Sequence, residues 1–226
     1  MKIIDLSAEI ADHMPRYPSS YLPEVGVVPV AKHETHGRSV QLITVGTHIS
    51  THIDAPFHAL PDGKTVEQIS PEVFVGRAQV FRMHGFDKKN GITPKDLEQF
   101  PEILNTPRII LDTGWAKKTW GQKSYFVDGP FLTRDAAHFL ASSHQIKLIG
   151  MDFPNVDCCE DMKVGIPAPN HQILFKSDIV LLENLLNLDE LDNNFLLCAC
   201  PIKIKGGDGA PTRVFGITPL ADISQL

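Results

Sequence analysis

Long apolar runs are missing from this chain. Nowhere does it approach the roughly 20 consecutive apolar residues that a membrane-spanning helix needs. The opening Met1-Lys2-Ile3-Ile4-Asp5-Leu6-Ser7 holds too short an apolar stretch for a signal peptide. Basic runs are missing too, and with a net charge of -6 nucleic acid and anionic membrane surfaces are poor partners. There is no Cys-x-x-Cys. The 4 cysteines fall as Cys158-Cys159 and as Cys198 and Cys200, a spacing that argues against a cysteine zinc site, and buried free thiols are expected. No Gly-x-Ser-x-Gly elbow is present, which argues against an α/β-hydrolase. The glycines of 206–209 fit neither a Walker loop nor a dinucleotide fingerprint. Repeats, low-complexity tracts and linkers are absent as well. These absences leave a soluble, cytoplasmic protein whose partner is a small molecule.

What is present is ordinary globular composition, 42% hydrophobic and 21% charged over 226 residues. One domain over 1–226 is the default. Residues 3–10, 27–30, 39–45, 76–83, 108–112, 147–152, 178–182, 195–200 and 214–217 read as strands from their β-branched and apolar content. Thr93 and Thr133 are placed to cap helices, with Pro94 at a first helical position, and a third helix opens at Ala168-Pro169-Asn170-His171. Asp112 reads as a strand-end cap, and 65–69 as a short helical or irregular segment. His33 and His36 fall in a solvated hairpin tip or mobile loop. The run 201–213 is either a plain turn or a loop closing near a pocket. Strands outnumber helices, with short loops between them.

The chemistry concentrates in His48-Ile49-Ser50-Thr51-His52-Ile53-Asp54-Ala55-Pro56-Phe57-His58. His48, His52, Asp54 and His58 all occupy even positions, so in extended chain they share one face. Helix is disfavoured by β-branched Ile49, Thr51 and Ile53 and by Pro56. A straight strand would hold residues 48 and 58 roughly 33 Å apart, at about 3.3 Å per residue. Convergence therefore requires bends, and Ser50-Thr51 and Ala55-Pro56 are where they are expected. Imidazoles with a carboxylate suit zinc, manganese or ferrous iron. Downstream, His171 at a helix start and Glu183 at a strand end are positioned to aim at one point.

The pattern over 48–58 resembles His-x-Gly-Thr-His-x-Asp-x-Pro-x-His, the signature of the cyclase-like metal-dependent hydrolases. That family includes bacterial kynurenine formamidase (arylformamidase) and isatin hydrolase. Ser50 stands where the family usually has glycine; serine is small enough to keep the site with a slightly different bend. His171 and Glu183-Asn184-Leu185 match the residues that complete the family's metal site. Thr113-Gly114-Trp115 and the run 201–213 are also similar. The likeness runs from Asp5-Leu6-Ser7 to the final strand.

The resemblance implies an α/β fold: a compact single domain with a central β-barrel-like mixed sheet and flanking helices, of the swivelling β/β/α type. It also implies homo-oligomers, dimer or tetramer, with pockets near subunit interfaces. Tyr17 would line the substrate pocket at a place where the family commonly has tryptophan. From chemistry alone, four histidines and two carboxylates are too many for one catalytic zinc. Either two metals share bridging carboxylates, or one metal leaves spare groups as acid and base. The resemblance favours two ions, zinc or manganese. His48, His52 and Asp54 would hold one and His171 would serve the second. Asp54 and Glu183 would touch both, and His58 would be left as general acid/base. The reaction expected is attack of metal-activated water, its pKa lowered to about 7, on a small amide. N-formylkynurenine hydrolysis to kynurenine and formate is the leading case, with His58 passing a proton to the leaving amine. Hydrolysis of another small cyclic amide, ester or lactone is the alternative within this class. A non-catalytic metal-binding protein and a Lewis-acid isomerase or cyclase are the rivals outside it.

Overall fold

Apolar runs at 109–111, 148–151 and 180–182 have no polar side to offer water, so their strands must be covered on both faces. In the computed structural model, which describes residues 1–158 and 168–221, they form the middle of one sheet. The strands are β1 (Lys2–Asp5), β2 (Gly26–Ala31), β3 (Val40–Thr44), β4 (His52–Asp54), β5 (Val75–Arg82), β6 (Arg108–Asp112), β7 (Leu148–Met151), β8 (Val180–Glu183), β9 (Asn194–Cys198), β10 (Gly209–Pro211) and β11 (Phe215–Thr218). Nine of them make a mixed sheet in the order β1-β11-β9-β5-β6-β7-β8-β4-β10. The run β5-β6-β7-β8 is parallel. Antiparallel strands close it on both sides, β9, β11 and β1 at one end and β4 and β10 at the other.

The sheet curls into a half-barrel. Ile4 of edge strand β1 shares one buried cluster with Ile53 of β4 and Ala210 of β10, at the opposite edge. Alternation then sorts the strands: Ile110, Leu148, Val180 and Leu182 point into that cluster. Ile109, Leu111, Ile149, Met151 and Leu181 point to the other face. There they meet α5 (Arg134–Ala141) through Ala136, Ala137 and Leu140, and α6 (Pro169–Lys176) through Leu174 and Phe175. Each fully buried Leu or Ile contributes about 1.5–3 kcal/mol. This α/β architecture with flanking helices is the one expected.

The remaining helices are short: α1 (His33–His36), α2 (Pro94–Leu97), α3 (Trp115–Thr119) and α4 (Lys123–Val127). The expected caps are present. Thr93 N donates to Asp96 Oδ2 at 2.9 Å, and Thr133 Oγ1 accepts from Ala136 N at 3.3 Å. Asp112 Oδ1 accepts from Gly114 N at 3.1 Å, the strand-end cap expected of it.

Some expectations are corrected. The strand expected over 3–10 stops at Asp5, because Ser7 N turns to Asp5 Oδ1 (3.2 Å) and, after the Leu6 N to Val214 O bond (2.9 Å), it is the Ser7 hydroxyl that bonds Val214 N and O. The strand expected over 39–45 is present as β3, in a two-stranded sheet of its own. It pairs only with β2, and α1, carrying His33 and His36, forms the exposed connection. This hairpin leaves Val28, Val30, Val40, Leu42 and Ile43 exposed. The thiols are less buried than expected: Cys158 and Cys198 are half-buried and Cys200 is exposed, because Cys200 lies past the end of β9, where strand alternation no longer governs it. Cys159 lies outside the described residues. Among the described residues no helix is long and apolar enough to cross a membrane.

Candidate metal centre

Only His52, Ile53 and Asp54 of the histidine stretch are strand. The bends fall where expected. Ser50 takes a left-handed φ of 57°, a conformation that glycine adopts without cost. Its hydroxyl bonds Ala8 O at 2.8 Å, and its carbonyl accepts from His52 Nδ1 (2.9 Å) and Asn184 Nδ2 (2.7 Å). Serine is thus tolerated here because its side chain is tied down. After Asp54, Pro56–His58 form a 3-10 turn that folds His58 back until its ring centroid is 3.9 Å from that of His48. His48 and His58 therefore reach the site from loops rather than from a continuous strand face.

Strand pairing supplies the rest. His52 lies opposite Glu183 in the β4–β8 ladder, so alternation puts His52, Asp54 and Glu183 on one face while Ile53 enters the core. His52 Nε2 lies 3.2 Å from Asp54 Oδ1 and 3.6 Å from Glu183 Oε2. His171, in the first turn of α6, brings Nε2 to 3.5 Å from Asp54 Oδ2 and 3.9 Å from Glu183 Oε1. His48 Nδ1 lies 2.5 Å from Asp54 Oδ1. Two groups of donors are close enough to share an ion: His48, Asp54 and His58, and His52, Asp54 and Glu183. Asp54 belongs to both. His33 and His36, exposed in the hairpin, join neither.

Three more residues hold the imidazoles in place: Asn184 of the Glu183-Asn184-Leu185 match, Asp208 of the family-like run 201–213, and Asp157, which carries no signature in the sequence. Asp157 Oδ2 accepts from His171 Nδ1 at 2.6 Å. Asp208 Oδ2 sits 2.8 Å from His48 Nε2 and 3.7 Å from His58 Nδ1. Asn184 carries the amide that reaches Ser50 O and the His52 ring, and its Oδ1 accepts from buried Tyr125 at 2.8 Å. The loop over 201–213 does close on the pocket, through Asp208. It is held there by Gly206 N to Glu67 Oε1 (2.9 Å) and Val66 N to Gly207 O (2.9 Å).

The electrostatics call for positive charge. Burial opposes ionisation of Asp54, yet His48 and His52 outweigh it and hold that carboxyl well below its ordinary range. Burial, with Asp54 nearby, drives Glu183 well above its own. Burial also opposes charge on His48 and His171, but neighbouring carboxylates win and push both up to about 10. For His58 burial prevails and lowers the value. Glu183 Oε1 is buried without a hydrogen-bond partner among the described residues, a costly state for a polar atom in the interior. Divalent cations fit this donor set: oxygens and imidazole nitrogens facing inward, with His171 and His48 each fixed from behind by a carboxylate, as in metal sites generally.

The pocket above these donors has a volume of about 60 Å³ and is lined by Tyr17 with Leu22, Phe126 and Pro154. Arg16 also lines it. The family profile of the cyclases matches residues 4–158. Kynurenine formamidase of Bacillus cereus is 34% identical over 211 residues, covering 93% of this chain and 94% of that protein. Isatin hydrolase A from Ralstonia solanacearum superposes with a TM-score of 0.81 at 21% identity, over 96% of this chain and 92% of that one. A structure described as a potential metal-dependent hydrolase with cyclase activity gives 0.73 at 25% identity, over 95% and 96%.

Proposed function

The chain belongs to the cyclase family, and from that premise we propose that it is a metal-dependent amide hydrolase acting on an aryl formamide, with N-formylkynurenine as its substrate. The observation that carries this reading is the convergence of His48, His52, Asp54, His58, His171 and Glu183 on one pocket with an apolar wall. The B. cereus relative supports the choice of bond.

His48, His52, Asp54, His171 and Glu183 would hold the cation, and Asp54, common to both donor groups, suits a pair of zinc or manganese ions. A divalent cation there supplies Lewis acidity and lowers the pKa of water to about 7. The chain's own residues do the rest. Tyr17, Phe126 and Leu22 offer aromatic and aliphatic surface to an aryl ring. Asp157 and Asp208 keep the rings of His171 and His48 turned inward. His58, kept neutral by burial, accepts a proton from water and returns it to the leaving nitrogen. Water oxygen joins the formyl carbon, the C–N bond breaks, the amine keeps one proton, and formate leaves with release of another. Exposed apolar residues on the β2–β3 hairpin support a homo-oligomer.

Protein purified without chelator is assayed for metal by plasma mass spectrometry and for N-formylkynurenine turnover on the same sample. The expected result is close to two ions per chain with turnover. Ions without turnover would leave a hydrolase of other amides or lactones. No ion bound, before or after adding zinc or manganese, would overturn the reading.

A further inference from the structure

Arg16 belongs to the loop between β1 and β2, and no step described above uses it. Its NH1 donates to Ser19 O at 3.3 Å, and its NH2 pairs with Glu24. Its Nε is buried and has no hydrogen-bond partner among the described residues. A guanidinium carries five N–H donors in a rigid planar fork, so the Nε proton and further NH protons remain uncommitted. A guanidinium whose side chain is 20% exposed, with its Nε unsatisfied, at the wall of a substrate pocket suits an anion.

Its position gives that anion a place in the substrate. Arg16 lines the pocket over the metal donors and also a larger neighbouring cavity of about 430 Å³. Pro15 and Phe126 are the other residues common to both. Lys123 and Glu24 line the outer cavity. Charge therefore differs between the two cavities. Carboxylates of Asp54 and Glu183 and the apolar wall of Tyr17, Leu22 and Phe126 line the pocket over the donors, Arg16 lines both cavities, and Lys123 lines the outer one. A formamide presented to the donors and an aryl ring on the apolar wall leave the far end of the substrate at Arg16.

We propose that Arg16 is a specificity-determining residue that binds a carboxylate on the substrate's far end, and that Glu24 faces an ammonium beside it, so that the preferred substrate is an aryl formamide bearing an α-amino-acid head. This rests on the formamidase reading for the scissile bond, but the recognition of the head group can be tested without it. Glu24 is 68% exposed on its side chain, so it can turn from the guanidinium toward an incoming ammonium without losing burial. Lysine in place of arginine keeps the charge and loses the fork.

The test compares kcat/KM for N-formylkynurenine with that for 2-formamidoacetophenone, the same aryl formamide without the amino-acid tail. Wild type, Arg16→Gln and Arg16→Lys are used as metal-loaded full chains, with thermal melts to establish that each is folded. Wild type should favour the tailed substrate. Arg16→Gln should shrink that preference by about 10- to 100-fold, the scale of a lost hydrogen-bonded charge pair, mainly through KM. Arg16→Lys should fall between them. An unchanged preference in folded Arg16→Gln overturns the assignment. If wild type hydrolyses neither formamide, the formamidase reading fails by itself, and calorimetry with kynurenine and 2-aminoacetophenone then decides the role of Arg16. Tighter binding of kynurenine, lost in Arg16→Gln, sustains it; equal binding of the two by wild type overturns it.

Discussion

His171 Nδ1 lies 2.6 Å from Oδ2 of Asp157, and both side chains are buried. The contact fixes the ring so that Nε2 faces Asp54 and Glu183. Asp157 has a second task, because its carboxylate also accepts from Asn170 N at 2.7 Å and His171 N at 3.3 Å at the start of α6. Asp157→Ala should weaken zinc binding about 10- to 100-fold, as loss of a carboxylate behind a ligating histidine does. It should also cost about 1 kcal/mol through the lost cap. Chelator competition measures the first effect, and melts of the metal-free proteins the second. A lower melting temperature with unchanged zinc affinity would reduce Asp157 to a helix cap.

His58 stands 3.9 Å, ring to ring, from His48 and groups geometrically with His48 and Asp54. Its two candidate roles separate in one variant. As general acid/base, His58→Ala should keep its full metal complement and lose roughly 10²- to 10⁴-fold in kcat. If ions per chain fall instead, His58 is a ligand and the proton carrier lies elsewhere.

Much of this was legible from local pattern. The run at 108–112 became β6 with the same limits, and Thr93 and Thr133 start helices by side-chain chemistry that needs no tertiary partner. The even positions of His52 and Asp54 predict a shared face because β4 is a true strand. The same rule does not carry His48 and His58, which lie beyond its ends; they converge through the bends at Ser50 and Pro56. Asp208 was not legible as a site residue. It meets His48 across 160 residues, and a lone aspartate in a glycine-rich loop looks like a turn. Asp157 is the same case: a single polar residue whose meaning comes from the helix that brings His171 to it.

Gly209 shows how closely that loop is fitted. A Cβ there would lie 2.6 Å from His48 Cε1 and 2.7 Å from Ile53 O. The first is a ring fixed at both nitrogens, and the second is backbone in the β4–β10 ladder, so neither can yield cheaply. Gly209→Ala should cost about 1–3 kcal/mol of stability, as overpacking does. It should also loosen metal binding by displacing His48. Denaturant titration and chelator competition test both effects; a variant as stable and as tightly metallated as wild type would show that the loop shifts freely.

Asp152, just past the end of β7, makes a pH-dependent contribution of its own. Burial pushes its carboxyl up to about 6, with Asp112 adding like-charge repulsion against hydrogen bonds from Thr113 and Ala116. A folded value above the ordinary 3.8 means that the folded state holds the proton more tightly than the unfolded chain. The contribution to stability is therefore complete below pH 3.8 and is lost as pH rises through about 6. At about 1.4 kcal/mol per pH unit, the loss is on the order of 3 kcal/mol. Asp152→Asn removes the titration while keeping an acceptor for Thr113. Unfolding free energies of wild type and variant, both metal-loaded, should be compared from pH 4 to pH 7. The wild-type value should fall relative to the variant across that window and run parallel to it above. A difference independent of pH would mean that Asp152 stays ionised in the fold, with the Thr113 hydrogen bonds outweighing its burial.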